Sequence, residues 1–364
     1  MKVLIIGPFP LPIDGCSYAN KILQQNFVAE HVAHDTVNTN TAIISSKQGN
    51  KFSFKKAFSF IPVYLGAFKI FSNDVVYLTP GQTFFGIVKY SPFILLCILA
   101  NKPYVIHVHG NYLGKQYQLL TGIKKKIFHF LLSRCAAGIV LSKSLVRNFD
   151  GLLPLSKVFV VENFVDNTLY STIPQKRTDK LVIIYLSNLM REKGILDVLD
   201  ALLLLRKASI PFEATIAGSM EVGIKPEIEL RLQELGASVA YVNTITGDKK
   251  KQKLQEANVF VLPTYYKMEG QPISLLEGLA TGNIIISTQH AGIPDVVGAN
   301  NGYLVQPQSP QEIAACLEKI YADIPGNVQR FAEVNRNYAA STFTENKFFN
   351  KIFEVLKLVA DKRS

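Results

Sequence analysis

An α/β fold built on parallel sheets is what this sequence predicts, and three observations carry it. Short β-branched runs alternate with longer helical stretches along the chain. Most of those runs are apolar at every position, as strands covered on both faces require. The chain has 364 residues, 48 % hydrophobic and 18 % charged, enough for more than one packed core and too apolar for disorder.

The predicted strands fall at residues 2–6, 74–78, 104–109, 138–141 and 157–161, then at 181–186, 212–217, 239–242, 259–263 and 284–287. A helix is expected over 195–207 and a terminal one over 343–358, where Phe, Leu and Lys mix. Residues 166–180 are polar, hold Pro174 and follow the turn Glu162-Asn163-Phe164-Val165-Asp166, so they read as an interdomain linker. Two Rossmann-like domains result, 1–165 and 166–342, with the helical segment 343–364 expected to join the first.

The formal charge of +11 is placed on one side only. Residues 1–165 hold 17 Lys/Arg against 6 Asp/Glu, and the remainder holds 22 against 22. The first half therefore asks for an anionic partner, either a membrane surface or nucleic acid. No RNA-binding or helix-turn-helix signature supports nucleic acid. Cations and aromatics interleave over residues 51–60, and Lys124-Lys125-Lys126 precede Ile127 and Phe128. Such pairing of basic and apolar residues suits an anionic bilayer. The most apolar run, 90–100, is about half the ~20 residues a crossing helix needs, and Lys89 and Lys102 bracket it. Nothing at the N-terminus resembles a signal peptide. The four cysteines (Cys16, Cys97, Cys135 and Cys316) form neither CxxC nor a zinc spacing, so no metal and a reducing, cytoplasmic compartment are expected.

Ligands of open α/β sheets bind beyond the carboxyl ends of the strands. Four loops there carry chemistry. The first is Pro-rich, runs from Gly7 to Gly15 and leads into a helix near Ser17, an arrangement open to a phosphate. The second is His107-Val108-His109-Gly110, with His107 expected in the core and His109 at the strand end facing the cleft. The third, Ser187-Asn188-Leu189-Met190-Arg191-Glu192-Lys193-Gly194, puts two cations at a helix start, suited to a diphosphate. The fourth contains Glu269-Gly270-Gln271-Pro272-Ile273 and then Glu277. Pro272 fits the first turn of a helix. The amides of Gly270, Gln271 and Ile273, with two carboxylates beside them, suit sugar hydroxyls.

These loops, in this order, resemble the retaining glycosyltransferases of family 4. The resemblance lies in Glu269-x7-Glu277, then Gly278-Leu279-Ala280-Thr281-Gly282-Asn283, then Ala291-Gly292-Ile293-Pro294-Asp295. Glu192-Lys193-Gly194 and the Gly15 loop add to it. It implies a GT-B architecture, two Rossmann-like domains facing a central cleft, and a nucleotide-sugar donor held by the second. It further implies Glu277 on the ribose diol, Lys193 on the diphosphate, and Glu269 with the following amides on the sugar. His109 would reach the sugar, and the Gly15 loop would close on the phosphates. Asn188 stands where the family has an arginine, and Arg191 is the candidate replacement. No Asp-x-Asp occurs, so transfer without metal or other cofactor is expected. The acceptor is expected to be a saccharide, lipid-linked, in surface polysaccharide or lipopolysaccharide assembly on the cytoplasmic membrane face. A GT-B epimerase or a non-catalytic nucleotide-sugar-binding subunit remains as the alternative.

Overall fold

The computed structural model describes residues 1–12, 14–40, 60–172 and 175–361. They form two compact units, Met1–Asn163 with Asn346–Ser364, and Phe164–Glu345. The basic run at 51–59 lies outside the described residues.

The first unit is built on a parallel sheet of β1 (Val3–Gly7), β2 (His34–Asn38), β3 (Val75–Leu78), β4 (Tyr104–Val108), β5 (Ala137–Val140) and β6 (Val158–Val160). Its strand order is β2-β1-β3-β4-β5-β6, so the winding reverses between β1 and β3. The four central strands, β1, β3, β4 and β5, are buried at every residue, which is why they read as unbroken apolar runs. Helix Gly15–Ala29 starts two residues before the expected Ser17 because Asp14 caps it. The Asp14 carboxylate accepts from the Ser17 amide at 2.8 Å, and the Ser17 hydroxyl accepts from the Asp14 amide at 2.9 Å. The C-terminal helix runs Glu345–Asp361. Its Phe349 and Phe353 sit edge-on to Phe27, with centroids 5.5 and 6.1 Å away, and Lys351 pairs with Glu162 at 2.5 Å.

In the second unit the strands are β7 (Leu181–Leu186), β8 (Phe212–Ala217), β9 (Val239–Tyr241), β10 (Val259–Leu262), β11 (Ile284–Thr288) and β12 (Gly302–Val305). The order β12-β11-β10-β7-β8-β9 is the doubly wound one, and it reverses between β7 and β10. Residues 166–180 are no free linker. Leu169 is buried in the second unit's core, and the turn Asn167–Tyr170 packs on helix Ile273–Ala280.

The strands β2 and β12 were not anticipated. Both are sheet edges; β12 is the four-residue Gly-Tyr-Leu-Val, too short beside its glycine to stand out. β2 reads His-Asp-Thr-Val-Asn, with Val37 its one buried residue. Among the described residues, no helix is long and apolar enough to cross a membrane.

Phe27 is fully buried, so Phe27→Ala should lower unfolding free energy by about 3–5 kcal/mol, read as a shift of the urea midpoint at unchanged slope.

Candidate active site

The reversal between β7 and β10 sets two loops side by side. After β7 the chain passes a short turn, Arg191–Lys193, and reaches Gly194 before helix Ile195–Lys207. Gly194 has φ +76°, and a Cβ there would lie 2.4 Å from the Pro263 carbonyl oxygen. Glycine is required by both the left-handed backbone and the close approach of the β10 loop. The Tyr265 amide then donates to the Glu192 carbonyl at 2.8 Å, and the buried Tyr185 hydroxyl donates to the carbonyls of Asn188 and Lys193. The loops are thus fixed to one another through their backbones.

That fixation delivers the Lys193 ammonium to the Glu269 carboxylate at 2.6 Å. The Thr264 hydroxyl donates to the same oxygen, Oε2, at 3.0 Å. The side chains of Lys193 and Glu269 are 16 % and 9 % exposed, so water does little to screen the pair. The Lys193 ammonium also stands 5.1 Å from the centre of the Tyr266 ring. Glu269 and its neighbours Gly270, Gln271 and Pro272 are buried, and Ile273 is half-buried. The Gly270 carbonyl accepts from the Gly292 amide at 3.0 Å, holding this loop to the one after β11.

Pro272 caps helix Ile273–Ala280 from just outside it, where a missing N–H costs nothing. The Leu275 and Leu276 amides donate to the Pro272 carbonyl at 3.2 and 3.3 Å, which leaves the amides of Ile273 and Ser274 without an acceptor in the helix. Glu277, the fifth residue, is buried and pairs with Lys250 at 2.5 Å. Burial raises the Glu277 carboxyl above the ordinary range; the Lys250 ammonium opposes that rise and Asp166 adds to it.

The remaining sequence-derived residues fall elsewhere in their units. Asn188 is exposed. Arg191 is exposed too, and its guanidinium pairs with Glu227 instead of joining Lys193 at Glu269. In the first unit, β4 ends at Val108, one residue short of the expected strand, so His109 lies just past it, with neither ring nitrogen hydrogen-bonded to protein. Burial pushes its imidazole down to about 4. His107 is buried and its Nδ1 meets the Tyr77 hydroxyl at 2.5 Å; burial, with His109 next to it, holds its pKa well below the ordinary value. Both rings are uncharged at neutral pH. Asn148 anchors their loop, donating to the Gly110 carbonyl at 2.9 Å. Gly15 is the exposed first residue of a helix whose Ser17 amide Asp14 already engages. Beside it, burial and Asp14 raise the Cys16 thiol to about 12.

Sequence reasoning missed Thr264 and Lys250. Thr264 directly follows Pro263 at the end of β10, a position that could have flagged it. Lys250 sits in Lys249-Lys250-Lys251, which no spacing rule separates from a solvated helix face. Among the described residues, no three His, Cys, Asp or Glu side chains are grouped to hold a metal ion.

Residues 166–338 match the family Glycosyl transferases group 1. That span holds Lys193, Lys250, Thr264, Glu269 and Glu277. Amylovoran biosynthesis glycosyltransferase AmsK of Erwinia amylovora is 26 % identical over 185 residues, 50 % of this chain and 45 % of that protein. Putative colanic acid biosynthesis glycosyltransferase WcaL of Escherichia coli K12 is 29 % identical over 170 residues, 45 % of this chain and 42 % of that one. The chain thus matches about half the length of these curated relatives. Among solved structures, Anabaena HepE in complex with UDP superposes with a TM-score of 0.73 at 16 % identity, covering 98 % of this chain and 100 % of that one. Sucrose-phosphate synthase from Thermosynechococcus elongatus gives 0.76 at 17 % identity, covering 100 % of both. With two six-stranded parallel sheets, these likenesses establish the GT-B fold of two Rossmann-like units.

Lys193→Met leaves a buried carboxylate unpaired, which should cost about 3–5 kcal/mol of unfolding free energy. Adding Glu269→Gln should recover much of that loss, since the orphaned charge is gone. Chemical denaturation of the two single variants and the double variant reads the coupling directly.

Proposed function

We propose that the chain is a retaining, metal-independent glycosyltransferase that moves a sugar from a nucleotide-diphosphate sugar to a saccharide acceptor. The observation that carries this is the Lys193–Glu269 pair, buried at the switch point of the unit that matches the family. An ionised carboxylate accepts from two sugar hydroxyls, and an ammonium beside it meets a diphosphate. Lys193 and the amides at the start of helix Ile273–Ala280 would stabilise charge as the diphosphate leaves. Glu277 would accept from the ribose hydroxyls. His109, uncharged, offers one N–H and one lone pair to a hydroxyl. The relatives named for amylovoran and colanic acid biosynthesis support a role in polysaccharide biosynthesis, and the proposal extends this to surface polysaccharide or lipopolysaccharide assembly. The HepE complexes with UDP and UDP-glucose support a nucleotide-sugar donor.

The test is product analysis with UDP-glucose and other nucleotide sugars, with and without saccharide acceptors, in EDTA. Acceptor-dependent transfer with retained anomeric configuration is expected, and Glu277→Ala should weaken UDP binding about tenfold or more. Acceptor-independent isomerisation would make the chain an epimerase, and tight binding without product would make it a binding subunit. Loss of activity in EDTA restored by magnesium would overturn the metal-independent reading.

The lipid-linked acceptor and the cytoplasmic membrane face belong to the same proposal, and the surface of the first unit supports them. The turn Leu65–Ser72 packs on helix Ser91–Leu99, which packs on helix Gly122–Ser133. These elements expose Leu65, Phe68, Phe71, Leu99 and Ile123, with Phe68 71 % and Leu99 83 % accessible. Lys124 and Lys126 are exposed beside Ile123. No Asp or Glu occurs between Asp74 and Asp150. Apolar side chains ringed by cations alone suit a bilayer carrying anionic headgroups. Each lysine near such a surface contributes about 1 kcal/mol. Replacing Lys124, Lys125 and Lys126 with Glu should therefore abolish flotation with anionic liposomes and leave UDP binding unchanged. Unchanged flotation would remove these lysines from the membrane face.

A further inference from the structure

We infer that Lys250 is a positioning residue for the donor site, one that keeps the buried Glu277 carboxylate ionised and aimed so that it can accept from a nucleotide's ribose. This rests on the reading of Glu277 given above.

The geometry is that of a built pair. Glu277 is 3 % exposed and Lys250 about a fifth, and they meet at 2.5 Å. The two charged groups acting on Glu277 are Lys250, from helix Gly247–Glu256, and Asp166, from the turn that packs on helix Ile273–Ala280. Asp166 is engaged locally, accepting from the Thr168 amide at 2.9 Å and the Thr168 hydroxyl at 2.6 Å. It faces Glu277 as a like charge. Lys250 is the cation between them in sign and effect.

The helix that carries Lys250 is also clamped to the one that carries Glu277. The half-buried Lys176 side chain, whose amine burial pushes down to about 7, donates to the carbonyls of Leu254, Gln255 and Ala257 at 3.1, 3.2 and 2.5 Å, closing the C-terminal end of helix Gly247–Glu256. It also donates to Asn283 Oδ1 at 3.1 Å. The Asn283 amide in turn donates to Leu254 at 3.0 Å and to Gly278 at 3.3 Å, at the far helix. Two helix ends are thereby tied through one lysine and one asparagine. A flexible lysine side chain on an anchored helix reaches a fixed carboxylate with little further ordering.

The consequence is a pH range. Burial alone favours the neutral acid, which carries a proton and can no longer accept from two vicinal hydroxyls. Lys250 holds the carboxylate open to them. Without it, Glu277 takes up a proton at higher pH, and nucleotide affinity should fall at neutral pH and recover on the alkaline side.

The experiment uses the full chain, with UDP as probe and inorganic pyrophosphate as the ribose-free control, titrated from pH 5.5 to 9. Lys250→Met should weaken UDP binding tenfold or more at pH 7 and shift the binding profile to higher pH. Pyrophosphate affinity should stay within twofold, and Lys250→Arg should restore the wild-type profile. Lys250→Met placed on Glu277→Gln should have no further effect on UDP. Alongside, the Glu277 carboxyl is titrated by carbon-detected NMR in ligand-free wild type and Lys250→Met, where an upward shift is expected. Should wild type bind no UDP, the nucleotide reading fails while the NMR titration still decides whether Lys250 governs Glu277. An unshifted carboxyl, or a uniform loss of UDP affinity at every pH, would overturn the assignment.

Discussion

A buried ion pair joining two loops at a sheet reversal is the constraint on which the site depends. Lys193 arrives from β7 and Glu269 from β10, and those strands are neighbours only because the winding order reverses there. Removing two charges from water costs several kcal/mol each, so such a pair persists only where its geometry is held. Here it is held by the Tyr265 amide on Glu192, the Gly194 turn under Pro263, and the Thr264 hydroxyl on the same carboxylate oxygen.

The second carboxylate follows the same logic with different supports. Glu277 projects from a short helix whose start is set by Pro272, and its charge is balanced from a neighbouring helix. Lys176 and Asn283 keep the two helices together at their ends. Three charged or amide side chains, Lys250, Lys176 and Asn283, thus act in series to present one carboxylate. Burial makes that arrangement sensitive, because each missing partner leaves a polar group that water cannot reach.

The first unit is physically unlike the second. Its paired imidazoles are uncharged, its helix start is occupied by Asp14, and its cations lie on the outer helices among exposed apolar side chains. The Lys193–Glu269 and Lys250–Glu277 pairs lie in the second unit, and the excess of positive charge lies in the first. The charge asymmetry of the sequence is the trace of that division.

Much of the architecture was legible in the amino-acid order. Strands β7 and β8 match the expected bounds residue for residue, and the helix Ile195–Lys207 does too, because buried parallel strands must be apolar throughout and amphipathic helices keep a 3.6-residue period. Strand β2 escaped because four of its five residues are polar, and β12 because it is only four residues long and opens on a glycine. Segment 166–180 passed for a linker because polarity was visible and the burial of Leu169 was not. Within the site, local spacing picked out Lys193, Glu269 and Glu277 as groups able to meet a ligand. It could not show that Lys193 and Glu269 touch, that Arg191 is taken by Glu227, or that one lysine of three reaches Glu277. Periodicity along the chain determined the elements. Which charge meets which was decided only by the tertiary structure, because pairing depends on loops that the strand order, not the sequence separation, brings together.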